Sequence, residues 1–569
     1  MNQDTARWTS LPGMMLGLAA RNPDKPMIRH WQEGAWKRTT WRDFALAVAN
    51  IAEGLRARGV SPGDRVVLVS ESRPEFLIAD TAIMAIGAVT VPTYTTNTVP
   101  DHAHILRDSG ARTAIASTGR LAERLREAAG PDGLDLLICM EDAPGTTPWA
   151  ELLATPGDIA MLVAEVQHIP EGRLACLIYT SGTGGLPKGV MLPHRAMLAN
   201  TAGVRPFLRR LGLEWSGACY LSFLPLSHAY EHTVGCFLFP ACGIEIVFSR
   251  GAERLAAEFQ EIEPAIITAV PRLFEVLRAR ILAGLEKEKP WKRKLFERAV
   301  TLGLRKMDGP PLNLLERLED AVLERLVRSK VRARFGSRLV AMVSGGARLD
   351  PDLSGFFLAL GVTVLQGYGQ TEAGPVISVN LPWDNQRRSV GPPVKGVEAR
   401  IAEDGELLIR GPLVMDGYWN DPDSTARALA SPPGEDAPWL HTGDVGEIDA
   451  HGRVIITDRK KDFIKTLGGD MVSPARIEGL LMAEPEIAQA VVAGEGRASI
   501  VALVVPAEGA QPEKAIQRVN GKLSGLERIR KWVRVDPFTV ENGMLTPTMK
   551  VKRRIVLERH AEAIGSLYS

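Results

Sequence analysis

Between residues 41 and 92 the apolar positions fall first at helical and then at strand spacing. Ala45, Ala47, Val48, Ile51, Ala52 and Leu55 predict one apolar helix face over 41–59, closed by Gly59. Pro62-Gly63-Asp64 then turns the chain into Arg65–Ser70, an apolar run of strand length. A second helix is predicted from Phe76 to Ile86, followed by Gly87 and the strand-like 88–92. The same rhythm returns at 174–180, 219–224, 265–270 and 338–344. Strands alternating with helices imply α/β architecture, with parallel sheet covered by helices on its faces.

The texture changes after about residue 390. Val397–Ile401, Glu406–Arg410 and Val445–Asp449 read as short strands between turns and predict a small distorted β-barrel. Asp458 to Asp462 is a charged break, and the residues beyond it read as a compact α+β tail. These changes divide the chain into a large domain, 1–458, and a small domain, 459–569, with a hinge in the charged linker.

Residues 276–335 predict a helical insert, interrupted by Pro290 and by Gly309-Pro310-Pro311. It carries sixteen Lys and Arg against eight Asp and Glu, an excess of +8 in a chain whose formal net charge is +1. Leucines and arginines alternate there at helical spacing. Such a pattern fits either a solvated face on a packed helical hairpin or a peripheral membrane surface. At the other end, residues 11–20 predict an N-terminal amphipathic helix. Asp4 and the scarcity of positive charge before it argue against a signal-peptide core.

A length of 569 residues supports more than one structural unit. The balanced charge gives no electrostatic footprint for a nucleic-acid partner. Five scattered cysteines (Cys139, Cys176, Cys219, Cys236 and Cys242), without CxxC pairs, fit reduced thiols in a cytoplasm. No apolar run approaches the roughly 20 residues that span a bilayer. The expectation is a cytoplasmic protein, monomeric or dimeric, with contact to a membrane surface through 276–335 left open.

The chemistry is concentrated at Tyr179-Thr180-Ser181-Gly182-Thr183-Gly184-Gly185-Leu186-Pro187-Lys188-Gly189-Val190. Glycines let several backbone N–H groups converge on one point, hydroxyls add donors, and Lys188 adds a mobile cation. Together these suit a nucleotide triphosphate. A Walker A loop needs Gly directly before Lys and Ser or Thr directly after; here Pro187 and Gly189 take those places. A flexible surface linker would not follow directly on the apolar Leu177-Ile178-Tyr179.

Further motifs follow in order: Leu224-Pro225-Leu226-Ser227-His228, Ser344-Gly345-Gly346-Ala347 and Gln366-Gly367-Tyr368-Gly369-Gln370-Thr371-Glu372. Thr442-Gly443-Asp444, Asp458-Arg459-Lys460-Lys461-Asp462 and Leu545-Thr546-Pro547-Thr548-Met549-Lys550 complete the set. With the glycine-rich loop, this set resembles the adenylate-forming superfamily of acyl-CoA synthetases, nonribosomal adenylation domains and beetle luciferases, over nearly the whole chain. Leu224–Glu231, Val270–Glu275, the insert and the Lys550 segment look like the AMP-forming long-chain fatty acyl-CoA synthetases.

The resemblance implies a large N-terminal domain of two helix-flanked sheets plus a barrel, and a small mobile C-terminal domain. It implies ATP, Mg2+ and coenzyme A, a medium- or long-chain fatty acid as substrate, and acyl-AMP as the intermediate. Thr180, Ser181, Gly182, Thr183, Gly184 and Lys188 would hold the β- and γ-phosphates, Thr371 the α-phosphate, and Glu372 the magnesium. Tyr368 would stack on adenine opposite Gly345, Gly346 and Ala347, within a nucleotide site that includes Gln366, Gly367 and Gly369. Asp444, helped by Arg459, would accept the ribose hydroxyls. Read singly, Thr371-Glu372 is a helix-start pattern and Asp444 a turn residue.

The same resemblance makes Lys550 the cation of the adenylation step, with Lys552 and Arg553 as alternatives close by. Lys461 matches the hinge, Gly468 and Gly469 the pantetheine tunnel, Lys465 a thioesterification residue and His228 the gate beside the acyl carboxylate. Arg476 departs from the pattern, which usually has Glu there. Three other readings stay open. One is a fatty-acyl-AMP ligase loading a carrier protein, against which no extra segment interrupts 350–390. A nonribosomal adenylation module would be expected to continue past Ser569. A catalytically silent AMP or acyl sensor would be expected to lack Lys188, Glu372, Asp444 or Lys550, and all four are present.

Overall fold

Thr40 accepts a hydrogen bond from the Asp43 amide while Asp43 caps Thr40 in return, so the first strongly patterned helix starts at Trp41 and runs to Arg56. It stops short of the expected Gly59, which instead sits at a φ of +88° in the turn leading to strand Arg65–Val69. The next helix, Pro74–Ala85, is buried on every side. A computed structural model describes residues 8–180, 186–431, 435, 437–460, 463–468, 470–546 and 551–568. These fall into two compact units, one of residues through 399 with 409–440, the other of 400–408 with 441 onward.

The first unit holds two eight-stranded sheets. One runs in the order Val376–Val379, Val364–Gly369, Ala341–Ser344, Ile266–Ala269, Cys219–Ser222, Glu245–Phe248, Pro26–Gln32, Ala35–Thr40. Its interior neighbours are parallel, and only the outermost pair at each edge is antiparallel. The other runs Gly417–Tyr418, Lys188–Pro193, Leu174–Thr180, Val89–Thr93, Arg65–Val69, Thr113–Ala116, Leu136–Cys139, Thr147–Pro148. Here too the predicted alternation gives parallel pairing, through residues such as Val67, Val91 and Leu177 in a fully buried core.

Three expectations change. The N-terminal helix Leu11–Arg21 is not amphipathic: Leu11, Met14, Met15, Leu16, Leu18 and Ala19 are all buried, because an all-apolar helix has no face to give to water. Asp458 and Arg459 belong to strand Val454–Arg459, with Asp458 buried, so the chain is still in sheet where a break was expected. The strand expected at 445–449 is the end of a longer one, Trp439–Ile448.

The insert is helical and interrupted as read: helix Pro271–Glu286 ends ahead of Pro290, which opens helix Pro290–Asp308 as its first residue. Asn313 and Glu316 form a capping box that starts the following helix, Leu314–Leu323. Phe296, Ala299, Leu302, Leu312, Leu323 and Val327 pack these helices onto a core that includes Phe356 and Phe357. In the second unit, strands Ile487–Ala493, Ile500–Pro506 and Ile529–Arg534 form a sheet covered by helices Pro474–Met482 and Glu513–Lys522. That is the expected α+β tail. No described helix is long and apolar enough to cross a membrane.

Candidate functional site

Four adjacent parallel strands of the first sheet end at the motifs singled out from the sequence. Cys219–Ser222 leads to His228, Ile266–Ala269 to Val270-Pro271, Ala341–Ser344 to Gly345-Gly346-Ala347, and Val364–Gly369 to Thr371-Glu372. The register places Ala269, Ser344 and Gln366 side by side. Parallel sheets bind ligands beyond the carboxyl ends of their strands, where backbone groups have run out of ladder partners. Residues far apart in sequence are thus gathered at one edge by topology.

Gly345 lies against Tyr230, and a Cβ there would come within 3.0 Å of the ring. The adjoining Gly346 has a φ of +76°, a left-handed conformation that suits glycine. Tyr368 is half-buried near the end of its strand, and Thr371–Ala373 forms a short 3-10 turn with no side-chain cap. His228 is half-buried, and its Nδ1 accepts the Tyr230 amide at 3.2 Å.

The glycine-rich loop connects an antiparallel hairpin, in which Thr180 closes strand Leu174–Thr180 directly opposite Lys188. Ser181, Gly182, Thr183 and Gly184 lie outside the described residues, as do Lys461, Gly469 and Lys550. Lys188 pairs with Asp421 at 2.9 Å, donates to Ser424 Oγ and lies 5.3 Å from the centre of the Tyr418 ring. The adjacent ammonium holds the Asp421 carboxyl down to about 2. The Tyr418 hydroxyl donates to Glu372 Oε1 at 2.8 Å. A single tyrosine therefore spans the loop lysine and the candidate magnesium ligand. Tyr418 was not foreseen, although Gly417–Tyr418 pairing with Met191 and Val190 is what delivers it.

Glu231 is the second residue that pattern reading left without a role. It is fully buried and accepts hydrogen bonds from Tyr220, Ser222 and Thr268. These ties join it to the strands on which the edge is built and fix the chain directly after His228 and Tyr230. Burial pushes the Glu231 carboxyl up to about 7, against the three hydroxyl donors that favour its charged form. The folded protein then holds a proton that an unfolded glutamate releases near 4.5. Stability should fall as pH rises between those values and level off above, by up to about 3 kcal/mol. Glu231→Gln should flatten that slope in thermal melts taken from pH 5 to pH 8; an unchanged slope would assign it to other groups.

In the second unit Asp444 is buried and faces Arg459 across the strand pair, with Arg459 Nε donating to its Oδ1 at 3.0 Å. Thr442 Oγ1 accepts the Asp444 amide at 3.1 Å and donates to the Leu407 carbonyl at 2.7 Å. Glu406 accepts the Gly443 amide at 2.8 Å and pairs with His441 and Lys460. Glu406 and Lys460 thus brace the turn that presents Asp444, a role that neither the strand Glu406–Arg410 nor the Asp458–Asp462 motif had suggested for them.

Lys465 is exposed at the end of strand Ile464–Lys465, and Gly468 lies in the turn where the Thr466 amide bonds the Asp470 carbonyl. Of the cations near Lys550, Arg553 is committed to Glu478 and the Val492 carbonyl. Arg476, the departure from the family pattern, pairs with Glu527. Its charge is accounted for within the domain.

Residues 18–419 match the family model described as AMP-binding enzyme, and 461–569 match the AMP-binding enzyme C-terminal domain. The chain belongs to the AMP-binding enzyme family. The relatives of this family member include a long-chain-fatty-acid–CoA ligase of Mycobacterium tuberculosis, 33% identical over 96% of this chain and 95% of that one. A chloroplastic long-chain-fatty-acid–[acyl-carrier-protein] ligase of Arabidopsis thaliana is 26% identical over 99% of this chain and 87% of the other. Among solved structures, an anthranilate CoA ligase in complex with anthranoyl-AMP superposes with a TM-score of 0.74 at 21% identity, covering 98% of both chains. The o-succinylbenzoate CoA synthetase of Bacillus subtilis, in complex with ATP and magnesium, gives 0.71 at 20% identity over 95% of this chain and 98% of that one. These likenesses agree with the two-sheet domain and smaller α+β domain expected from the sequence.

Proposed function

We propose that this AMP-binding enzyme activates a medium- or long-chain fatty acid with ATP and transfers the acyl group to coenzyme A. The observation that carries the reading is the Lys188–Tyr418–Glu372 arrangement, which puts a cation and a carboxylate on the two ends of one tyrosine. The relationship to the mycobacterial ligase over nearly the full length of both chains supports the substrate class.

In the first step a carboxylate oxygen of the acid attacks the α-phosphorus. A carboxylate–phosphorus bond forms, the bond from that phosphorus to the bridging oxygen breaks, and pyrophosphate leaves. Both reactants are anionic, so positive groups and aligned donors lower the barrier. Lys188 and the loop would hold the β- and γ-phosphates, Thr371 would donate to the α-phosphate, and Lys550 would meet the charge between the reactants. In the second step the CoA sulfur bonds to the acyl carbon, the bond from that carbon to the phosphate-linked oxygen breaks, AMP leaves, and the thiol proton passes to solvent. Lys465, Gly468 and Gly469 are assigned to that step, His228 to the acyl entrance and Lys461 to a hinge between domains 1–458 and 459–569.

Glu372 fits magnesium as a half-buried carboxylate whose Oε1 is already oriented by the Tyr418 hydroxyl. Among the described residues no group of three or more acidic, His or Cys side chains gathers elsewhere. One carboxylate plus nucleotide phosphates and water is how this ion is commonly held. When bound, it would neutralise charge on the triphosphate.

The test is to incubate the purified protein with Mg-ATP and a ladder of carboxylic acids, with and without CoA, and to identify products by mass. Acyl-CoA that peaks at long chains is the expected outcome. Acyl-AMP that accumulates and ignores CoA would favour delivery to a carrier protein, the reading that the plant relative supports. We also propose that any membrane contact is peripheral and made by the insert, since no described helix can span a bilayer.

A further inference from the structure

The helical stretch from Leu314 to Ala333 presents an unusual outer surface. Leu314, Leu315 and Leu318 are 78%, 79% and 68% exposed, and Val322 and Leu326 continue the same row at 52% and 45%. Positions 314, 318, 322 and 326 recur every four residues, so they form one stripe along the helix rather than scattered surface leucines. Its next member, at the same spacing, is Lys330, which is exposed. Isolated exposed leucines need no explanation, but a contiguous apolar row on a charged helix marks a contact surface.

Every acid of the stretch is paired with a cation, the largely buried Glu316 and Asp320 as well as the more exposed Glu319 and Glu324. Glu316 pairs with Arg305, Glu319 with Arg298, Asp320 with Lys306 and Arg328, and Glu324 with Arg332. Arg325 and Lys330 make no ion pair among the described residues and are exposed beside the apolar row. The outer face is thus leucine and uncompensated cation, within a segment whose excess is +8.

We propose that this face docks on an anionic lipid bilayer, with the leucine row entering the headgroup boundary and Arg325 and Lys330 meeting lipid phosphates. An amphipathic helix of this composition lies in the plane of the interface, and its cations are drawn to acidic lipids. Two copies meeting through this face would bring two strongly positive segments together, which disfavours self-association. The proposal rests on the fatty-acid reading for its purpose: a long-chain acid is held in the bilayer, so an enzyme seated there takes substrate where it is concentrated.

The test is co-sedimentation of the full chain with vesicles of phosphatidylcholine containing phosphatidylglycerol, and with pure phosphatidylcholine. Three proteins are compared: the parent chain, Leu314→Ser/Leu318→Ser/Val322→Ser, and Arg325→Gln/Lys330→Gln. All five positions are exposed, so melting temperature and turnover of a water-soluble acid should stay the same. The parent should bind acidic vesicles at least about tenfold better than neutral ones, with binding weakened by salt. Each variant should lose roughly tenfold or more of that binding.

A parent chain that ignores acidic vesicles, or variants that bind as the parent does, would overturn the proposal. So would a parent dimer that the triple serine variant dissociates, because the face would then join two copies. Vesicle binding is read without turnover. Docking that persists in a protein lacking fatty-acid ligase activity would refute the substrate assignment and leave the surface intact.

Discussion

Replacing Glu372 with glutamine is expected to slow acyl-adenylate formation by roughly 10²–10³-fold. Glutamine keeps the size of the side chain and an oxygen that can still accept from Tyr418, whose hydroxyl lies 2.8 Å from Glu372 Oε1. The fold should therefore be unaffected, and the melting temperature of the protein alone should stay within a few degrees of the parent. What is lost is a full negative charge at the position assigned to magnesium. ATP–pyrophosphate exchange with a saturating fatty acid measures the effect directly. Excess magnesium should recover part of the rate if the carboxylate binds the ion. Exchange within about threefold of the parent would remove Glu372 from the metal assignment and leave it as a partner of Tyr418.

Lys550→Ala should have an effect of similar size, confined to one half of the reaction. A cation that stabilises charge only while carboxylate and α-phosphate react is worth roughly 10²–10³ in rate. Attack of CoA on supplied acyl-adenylate needs no such group and should proceed at close to the parent rate. Arg553 is tied to Glu478 and the Val492 carbonyl, so it should not substitute for the missing lysine. Quenched-flow measurement of the two half-reactions separates these outcomes. Equal loss in both steps would exclude a role restricted to adenylation.

Much of this arrangement could be read along the chain. Helix Trp41–Arg56 and strands Arg65–Val69, Val89–Thr93 and Leu174–Thr180 stand where periodicity put them, because burial on one face or both leaves a local imprint. The errors also have local causes. The residues of Leu11–Arg21 are nearly all apolar and its polar neighbours lie outside the helix, so no amphipathic face forms. Asp458 looked like a break because a buried charge in a strand carries no sequence signature. Only its neighbours reveal that it is in sheet.

The class of fold, the order of the nucleotide motifs and the basic helical insert are all legible along the chain, since each depends on residue types close together in it. How they act together depends on the folded arrangement. Lys188 meets Ser424 and Asp421 more than two hundred positions away, and Tyr418 reaches Glu372 across 46. Glu406 braces the Asp444 turn from 37 positions upstream of Gly443, and Glu231 draws three hydroxyls from two strands. The outward leucine row became visible only through the exposure of each residue and the pairing of the acids around it. Such contacts are set by sheet order and packing, which bring distant residues to one edge and leave no periodic trace in the chain.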